Sequence, residues 1–118
     1  MTIKMLRAKL HMAAVTGTNL HYHGSITIPR DLLKTSGLRP NEAVLIANVG
    51  TGQRGETYII EGEAGSGRIE LNGAIARFAE VGDRVIVLAF AYLTPEEADS
   101  HEPRVVILDE SNRVVETL

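Results

Sequence analysis

The apolar residues of this 118-residue chain occur in short, β-branched runs, and this pattern constrains the fold more than any other feature. Four such runs are residues 26–28, 58–60, 85–88 and 105–108. Turn residues interrupt the runs roughly every eight to fifteen residues, a spacing typical of all-β sandwiches and barrels. We therefore predict a mainly β fold.

Three short helices are predicted between the strands. Residues 29–36 begin with proline and are followed by Gly37, the expected start and stop of a helix. Residues 73–79 are rich in alanine, and Thr94 can cap a turn over residues 95–97. No linker or low-complexity segment divides the chain, so residues 1–118 are predicted to form one domain.

Composition limits the core and the partners of the chain. Hydrophobic residues make up 44% of the sequence but aromatic residues only 4%, which predicts one modest aliphatic core. A domain of this size buries a small share of its surface, so we expect an oligomer. The net charge of −3 provides no basic field for nucleic acid or anionic lipid.

Several protein classes are disfavoured by what the sequence lacks. It has no cysteine, which excludes a disulfide framework and thiol catalysis. It has no recognisable signal peptide and no apolar run near the ~20 residues that a membrane helix needs. The default expectation is a soluble cytoplasmic protein without membrane contact.

Residues 6–12 alternate between apolar and polar side chains. If they form a strand, Arg7, Lys9 and His11 share one face and the apolar residues share the other. The face is either a solvated strand surface or a wall that binds an anion, and the pattern alone leaves both interpretations open.

The dipeptide Gly24-Ser25 has two interpretations. It could form the turn of a β-hairpin. Alternatively, the Ser25 hydroxyl could attack the Gly24 carbonyl to give an ester, whose elimination and hydrolysis would leave a pyruvoyl group at position 25. Glycine suits that reaction because it lacks a Cβ and lets the hydroxyl approach its carbonyl carbon.

A second polar cluster is predicted on the strand near residue 56. Arg54 and Tyr58 lie on one face of this strand and Thr57 on the other. Further along, Asn72 and Gly73 follow a strand and open a short helix, whose free N–H groups could bind a carboxylate.

These features occur together in one family. The ordered elements are Lys9-Leu10-His11, Leu20-His21-Tyr22-x-Gly24-Ser25, Asn41-Glu42, Arg54-x-x-Thr57-Tyr58, Leu71-Asn72-Gly73-Ala74, Gly82-Asp83 and His101-Glu102-Pro103. From about residue 5 to residue 115, the chain resembles the pyruvoyl-dependent aspartate 1-decarboxylases of pantothenate biosynthesis. The resemblance implies a double-psi β-barrel, a homotetramer, L-aspartate as substrate, and cleavage into residues 1–24 and 25–118.

The resemblance also implies roles for individual residues. Ser25 would become the pyruvoyl group that forms a Schiff base with the substrate, with neither a metal nor pyridoxal phosphate. Tyr58 would donate a proton, and Thr57 would support cleavage after Gly24 and contact the substrate. The remaining implied site residues are Lys9, Arg54, Gly73, Ala74 and Ile75 as substrate contacts, and His11, Tyr22 and Asn72 as lining. The sequence leaves open whether cleavage is spontaneous or requires an accessory maturation protein.

Thr57 and Tyr58 are adjacent, so a regular strand points their side chains to opposite faces. If both serve one site, the strand should be irregular between residues 53 and 57. Gly55 would supply a bulge there. This interpretation places the Thr57 hydroxyl near the Gly24 carbonyl.

Some positions depart from the family pattern, and two other functions compete with it. Ala47, Ile75 and His23 differ from residues common in the family, which affects affinity and processing more than the type of reaction. The segment from Ile26 to Val44 also resembles swapped-hairpin DNA-binding domains, although the acidic charge balance argues against DNA. The third interpretation is an inactive barrel that only binds partners.

Overall fold

The computed structural model describes residues 1–118 as a mainly β fold with a few short helices, as predicted. The nine strands are β1 (Ile3–Ala14), β2 (Gly17–Asn19), β3 (Ser25–Pro29), β4 (Ala43–Asn48), β5 (Arg54–Gly62), β6 (Glu70–Asn72), β7 (Arg84–Leu93), β8 (Arg104–Leu108) and β9 (Val114–Thr117). The helices are α1 (Arg30–Ser36), a 3₁₀ helix (Gly73–Phe78) and α2 (Pro95–Asp99).

The strands form one sheet in the order β2-β6-β3-β5-β4-β7-β1-β8-β9. β1 and β2 lie far apart in this order, yet only Val15 and Thr16 separate them along the chain. The sheet must therefore curl round on itself, and the Thr16 amide donates to the Ile69 carbonyl at 2.8 Å where the two ends meet. This curling gives the sheet a barrel-like shape.

Local sequence signals define the helix ends. Gly37 ends α1 in the left-handed conformation with φ 78°, and its amide donates to the Leu33 carbonyl. Thr94 and Glu97 form a reciprocal capping box at the start of α2. No helix in the structure is long and apolar enough to cross a membrane.

The core is aliphatic, as the composition predicts. Its largest fully buried side chains include Leu10 of β1, Ile26 and Ile28 of β3, and Ile59 of β5. Phe78 is the one aromatic residue that packs against this cluster, and it is only partly buried. Alternate residues face the core along β5 and at Ala8 and Leu10 of β1. Register shifts between Leu6 and Ala8 and between Leu10 and Ala13 interrupt the alternation elsewhere in β1.

Candidate active site

Ser25 is the first residue of β3, and its side chain is fully buried. The hydroxyl donates a hydrogen bond to the His23 carbonyl at 3.0 Å and accepts one from Nδ2 of Asn72 at 3.0 Å. Gly24 lies just before the strand and is exposed. The Gly24–Ser25 bond thus joins an exposed residue to one whose side chain is buried and held by two hydrogen bonds.

The hairpin interpretation of Gly24-Ser25 is wrong. Strands β2 and β3 do not pair with each other, because β6 lies between them, parallel to β2 and antiparallel to β3. The segment that contains Gly24 therefore crosses the end of a third strand and does not join two paired strands. Its conformation is set by long-range contacts.

The closest of those contacts is with Gly73, at the start of the 3₁₀ helix. Gly73 has φ 70°, and a Cβ built on it would lie 2.5 Å from the Gly24 Cα and 2.8 Å from the Gly24 nitrogen. Any side chain at position 73 would displace the backbone next to the Gly24–Ser25 bond. The helix start predicted for Asn72 and Gly73 is present and rests directly against this bond.

Thr57 and Gly24 line the same small cavity, of about 240 Å³. Ala74, Ile75 and Phe78 of the 3₁₀ helix complete its apolar walls, together with Gly55 and Glu56 of β5. The structure thereby brings together Gly24, Thr57, Ala74 and Ile75. Thr57 therefore shares a cavity with the residue whose carbonyl it was predicted to approach.

The predicted irregularity in β5 is wrong. β5 pairs with β4 in continuous register from Arg54, opposite Ala47, to Tyr58, opposite Ala43. Gly55 instead leaves room for the side chains of the 3₁₀ helix. A Cβ at this position would lie 2.7 Å from the Ile75 side chain and equally close to the Phe78 ring. The 3₁₀ helix can pack closely against β5 because Gly55 has no side chain, and the strand has no bulge there.

Thr57 and Tyr58 consequently point to opposite faces. β3 and β5 are parallel with Ile26 opposite Ile59, and Ser25 and Tyr58 each precede that pair by one residue. Strand alternation therefore puts the Ser25 and Tyr58 side chains on the same side of the sheet, outside the core. Tyr58 is 39% exposed there.

A larger depression of about 480 Å³ lies on the face of the sheet that carries the Ser25 and Tyr58 side chains. Thr27 and Ile60, two residues beyond Ser25 and Tyr58, form part of its floor, and Tyr22 and Asn72 line it. Thr27 was not among the residues singled out in the sequence. Its position two residues after Ser25 on a strand is the signal that could have identified it, since i and i+2 share a face.

The two cations expected to bind carboxylates lie on strands that do not pair with each other. Arg54 is exposed on the same face of β5 as Tyr58. Lys9 lies on β1, which is separated from β3 by β5, β4 and β7. Neither cation forms an ion pair, because the one salt bridge of the chain joins Arg7 to Glu42.

His11 lies two residues after Lys9 on β1. Burial lowers the pKa of His11, and the nearby charges of Lys9 and Arg84 lower it further. Its Nδ1 atom is buried and has no hydrogen-bond partner within the chain. This ring nitrogen therefore remains available for a hydrogen bond that the single chain does not supply.

Of the three residues that depart from the family pattern, Ile75 and His23 lie near Gly24. Ile75 is buried and its side chain contacts the position of Gly55. His23 is exposed and packs edge-on against the Tyr22 ring at 5.2 Å between centroids. Ala47 is buried in β4 opposite Arg54. No three His, Asp or Glu side chains converge in a way that could hold a metal ion.

Known proteins resemble this chain over nearly its whole length. The family model described as aspartate decarboxylase matches residues 1–115. An aspartate 1-decarboxylase of Caldicellulosiruptor bescii is 50% identical over 115 residues, covering 98% of this chain and 90% of that protein. An aspartate 1-decarboxylase of Salinibacter ruber is 55% identical over 117 residues, covering 99% of this chain and 80% of that protein.

Proposed function

The chain belongs to the aspartate decarboxylase family, and from this premise we propose that it converts L-aspartate to β-alanine and CO2 with a pyruvoyl group made from its own Ser25. The observation that carries the proposal is the anchored Ser25 hydroxyl beside an accessible Gly24. Following the family resemblance, we place the reaction in cytoplasmic pantothenate biosynthesis.

The pyruvoyl group would form in three steps. The Ser25 Oγ attacks the Gly24 carbonyl carbon, the amide bond breaks and its nitrogen takes the hydroxyl proton, which leaves an ester. Loss of the Ser25 Cα proton then breaks the Cβ–Oγ bond and frees the Gly24 carboxylate, leaving dehydroalanine. Water finally replaces the amine nitrogen, which leaves as ammonia.

We assign Thr57 to the first step, the attack of Ser25 on the Gly24 carbonyl. The attack places negative charge on the Gly24 carbonyl oxygen, and a hydroxyl donor nearby stabilises that charge. The cavity shared by Thr57 and Gly24 supports this role.

Intact mass spectrometry tests the proposed processing directly. Purified protein should contain two fragments, residues 1–24 and 25–118, and the second should lack a free amino group and carry a ketoacyl terminus. Freshly made protein should show the whole chain first and the fragments later. A chain that stays whole and never forms a carbonyl would support a barrel that only binds partners.

After processing, the residues around position 25 hold and protonate the substrate. A pyruvoyl carbonyl supplies the electron sink that no ordinary side chain provides for the pair left when CO2 departs. Tyr58 lies on the same side of the sheet as residue 25, which supports it as the donor of the proton that replaces CO2. Gly73 and Ala74 present backbone groups at the start of the 3₁₀ helix, beside the same segment.

Arg54→Ala should mainly weaken aspartate binding. A guanidinium binds a carboxylate with charge-assisted hydrogen bonds, so its loss should cost about 1.5–3 kcal/mol of binding free energy. Steady-state kinetics should show roughly a tenfold or larger rise in KM. Arg39→Ala, at an exposed arginine on the turn before β4, serves as the matched control. Equal turnover of aspartate, glutamate and alanine would show that the pocket does not select a dicarboxylate of this length.

We also propose that the enzyme is a homotetramer with its sites between subunits. Lys9 and His11 lie on β1, which does not pair with β3, and we propose that they reach Ser25 from a neighbouring subunit. The unused His11 nitrogen and the exposed Leu20, Val49 and Val81 side chains support a covered surface.

Light scattering of the processed protein should therefore give a mass of four chains. A mixing experiment sharpens the test, because Lys9→Ala and Tyr58→Phe chains should complement each other when they are refolded together. Complementation requires that one site draw these two residues from different subunits. A fully active monomer would contradict the proposal.

A further inference from the structure

We propose that Thr27 is a positioning residue for the cleavage of this chain, because it fixes the side-chain amide of Asn72 as a hydrogen-bond donor to the Ser25 hydroxyl. The inference rests on the self-processing proposed above and adds a residue to it. Thr27 lies two residues after Ser25 on β3, so both side chains project from the same face.

The three side chains form a continuous chain of hydrogen bonds. Asn72 lies opposite Ser25 in the pairing of β6 with β3. Its Nδ2 atom donates one hydrogen to Ser25 Oγ at 3.0 Å and the other to Thr27 Oγ1 at 3.1 Å. Both hydrogens of this buried amide are therefore used, and Thr27 accepts the second one.

The orientation of the amide follows from this arrangement. The Ser25 hydroxyl donates its own proton to the His23 carbonyl, so the Asn72 group facing it has to be a donor. Without the Thr27 oxygen, one N–H of the buried amide would have no partner, and a buried donor without a partner is costly. The amide would then turn over more readily and present its oxygen to Ser25.

A donor at Ser25 Oγ matters in the step that breaks the ester. When a base removes the Ser25 Cα proton, the Cβ–Oγ bond breaks and its electron pair remains on Oγ, which becomes a carboxylate oxygen of Gly24. An N–H group already aimed at Oγ stabilises this developing charge. Thr27 thus assists the departure of the Gly24 carboxylate indirectly, by orienting the Asn72 amide.

The test compares the cleavage rates of freshly purified, uncut full-length chains by intact mass spectrometry. Thr27→Val, which replaces the hydroxyl with a methyl group, should cleave roughly three- to tenfold more slowly than wild type. It should also accumulate the ester, which hydroxylamine splits after residue 24. Thr27→Ser should restore the rate, and Thr35→Val, which removes an exposed hydroxyl from α1, should leave it unchanged.

The following outcomes decide whether Thr27 has this role. Thr27→Val cleaving at the wild-type rate without accumulating ester would overturn the proposal, and so would Thr27→Ser as slow as Thr27→Val. Should Thr27→Val fail to fold, Thr27→Ala removes the hydroxyl without adding a methyl group and has to show the same ester accumulation. If wild type and all variants stay whole, the self-processing itself is contradicted. A defect confined to the variants without the hydroxyl supports Thr27 specifically.

Discussion

Ser25→Ala is expected to leave the chain whole and without decarboxylase activity. The substitution removes the only atom that can attack the Gly24 carbonyl and the atom from which the cofactor is made, so the loss should be complete. Intact mass spectrometry should give a single species of 118 residues. An assay for β-alanine should give no signal above background at any aspartate concentration.

The control for Ser25→Ala needs a hydroxyl in a comparable environment. Ser36 is also buried, donates to the Leu33 carbonyl and accepts from the Leu38 amide, but it lies at the end of α1. Ser36→Ala should lower stability and still permit cleavage and turnover. Normal cleavage of Ser25→Ala would refute the mechanism, because no ester could form at position 25.

Tyr58→Phe and Thr57→Val are expected to separate turnover from cleavage. Tyr58→Phe should process normally and then lose roughly 10²–10⁴-fold in turnover, the range for removal of a positioned proton donor. Thr57→Val should instead slow cleavage by roughly 10²–10³-fold, as loss of one donor to an oxyanion does elsewhere. The physical basis is that the two side chains face opposite sides of a regular strand.

Two measurements are required for each variant: the cut fraction by mass, and the turnover per cut chain. Tyr92→Phe is the matched control, since Tyr92 is 69% exposed on β7 and lies outside the site. Full activity of Tyr58→Phe would mean that another acid protonates the carbanion, such as a water molecule held by His11. If both variants failed at the same step, the opposed placement of the side chains would have no functional consequence.

Much of the fold and part of the site follow from local sequence patterns. Period-two alternation identifies the faces of β5 and of the part of β1 around Ala8 and Leu10, and Gly37 and Thr94 mark helix boundaries. The same alternation predicts that Thr57 and Tyr58 point to opposite faces. These features depend on interactions within a few residues, so a short stretch of sequence is sufficient to specify them.

Other features depend on tertiary structure. Gly24-Ser25 looks like a hairpin turn, but the closing of the barrel inserts β6 between the flanking strands. Gly55 looks like a bulge residue, but its missing side chain makes room for Ile75.

By itself, the sequence therefore determined the helix ends and the faces of regular strands, and its resemblance to a family singled out Gly24-Ser25 as the proposed cleavage pair. The tertiary structure decided what surrounds that pair: Gly73 lies against Gly24, and Asn72 and Thr27 lie around Ser25. The reason is physical. Periodicity and capping are local preferences of the backbone, whereas pairing and close approach between distant segments are settled only when the whole core is packed.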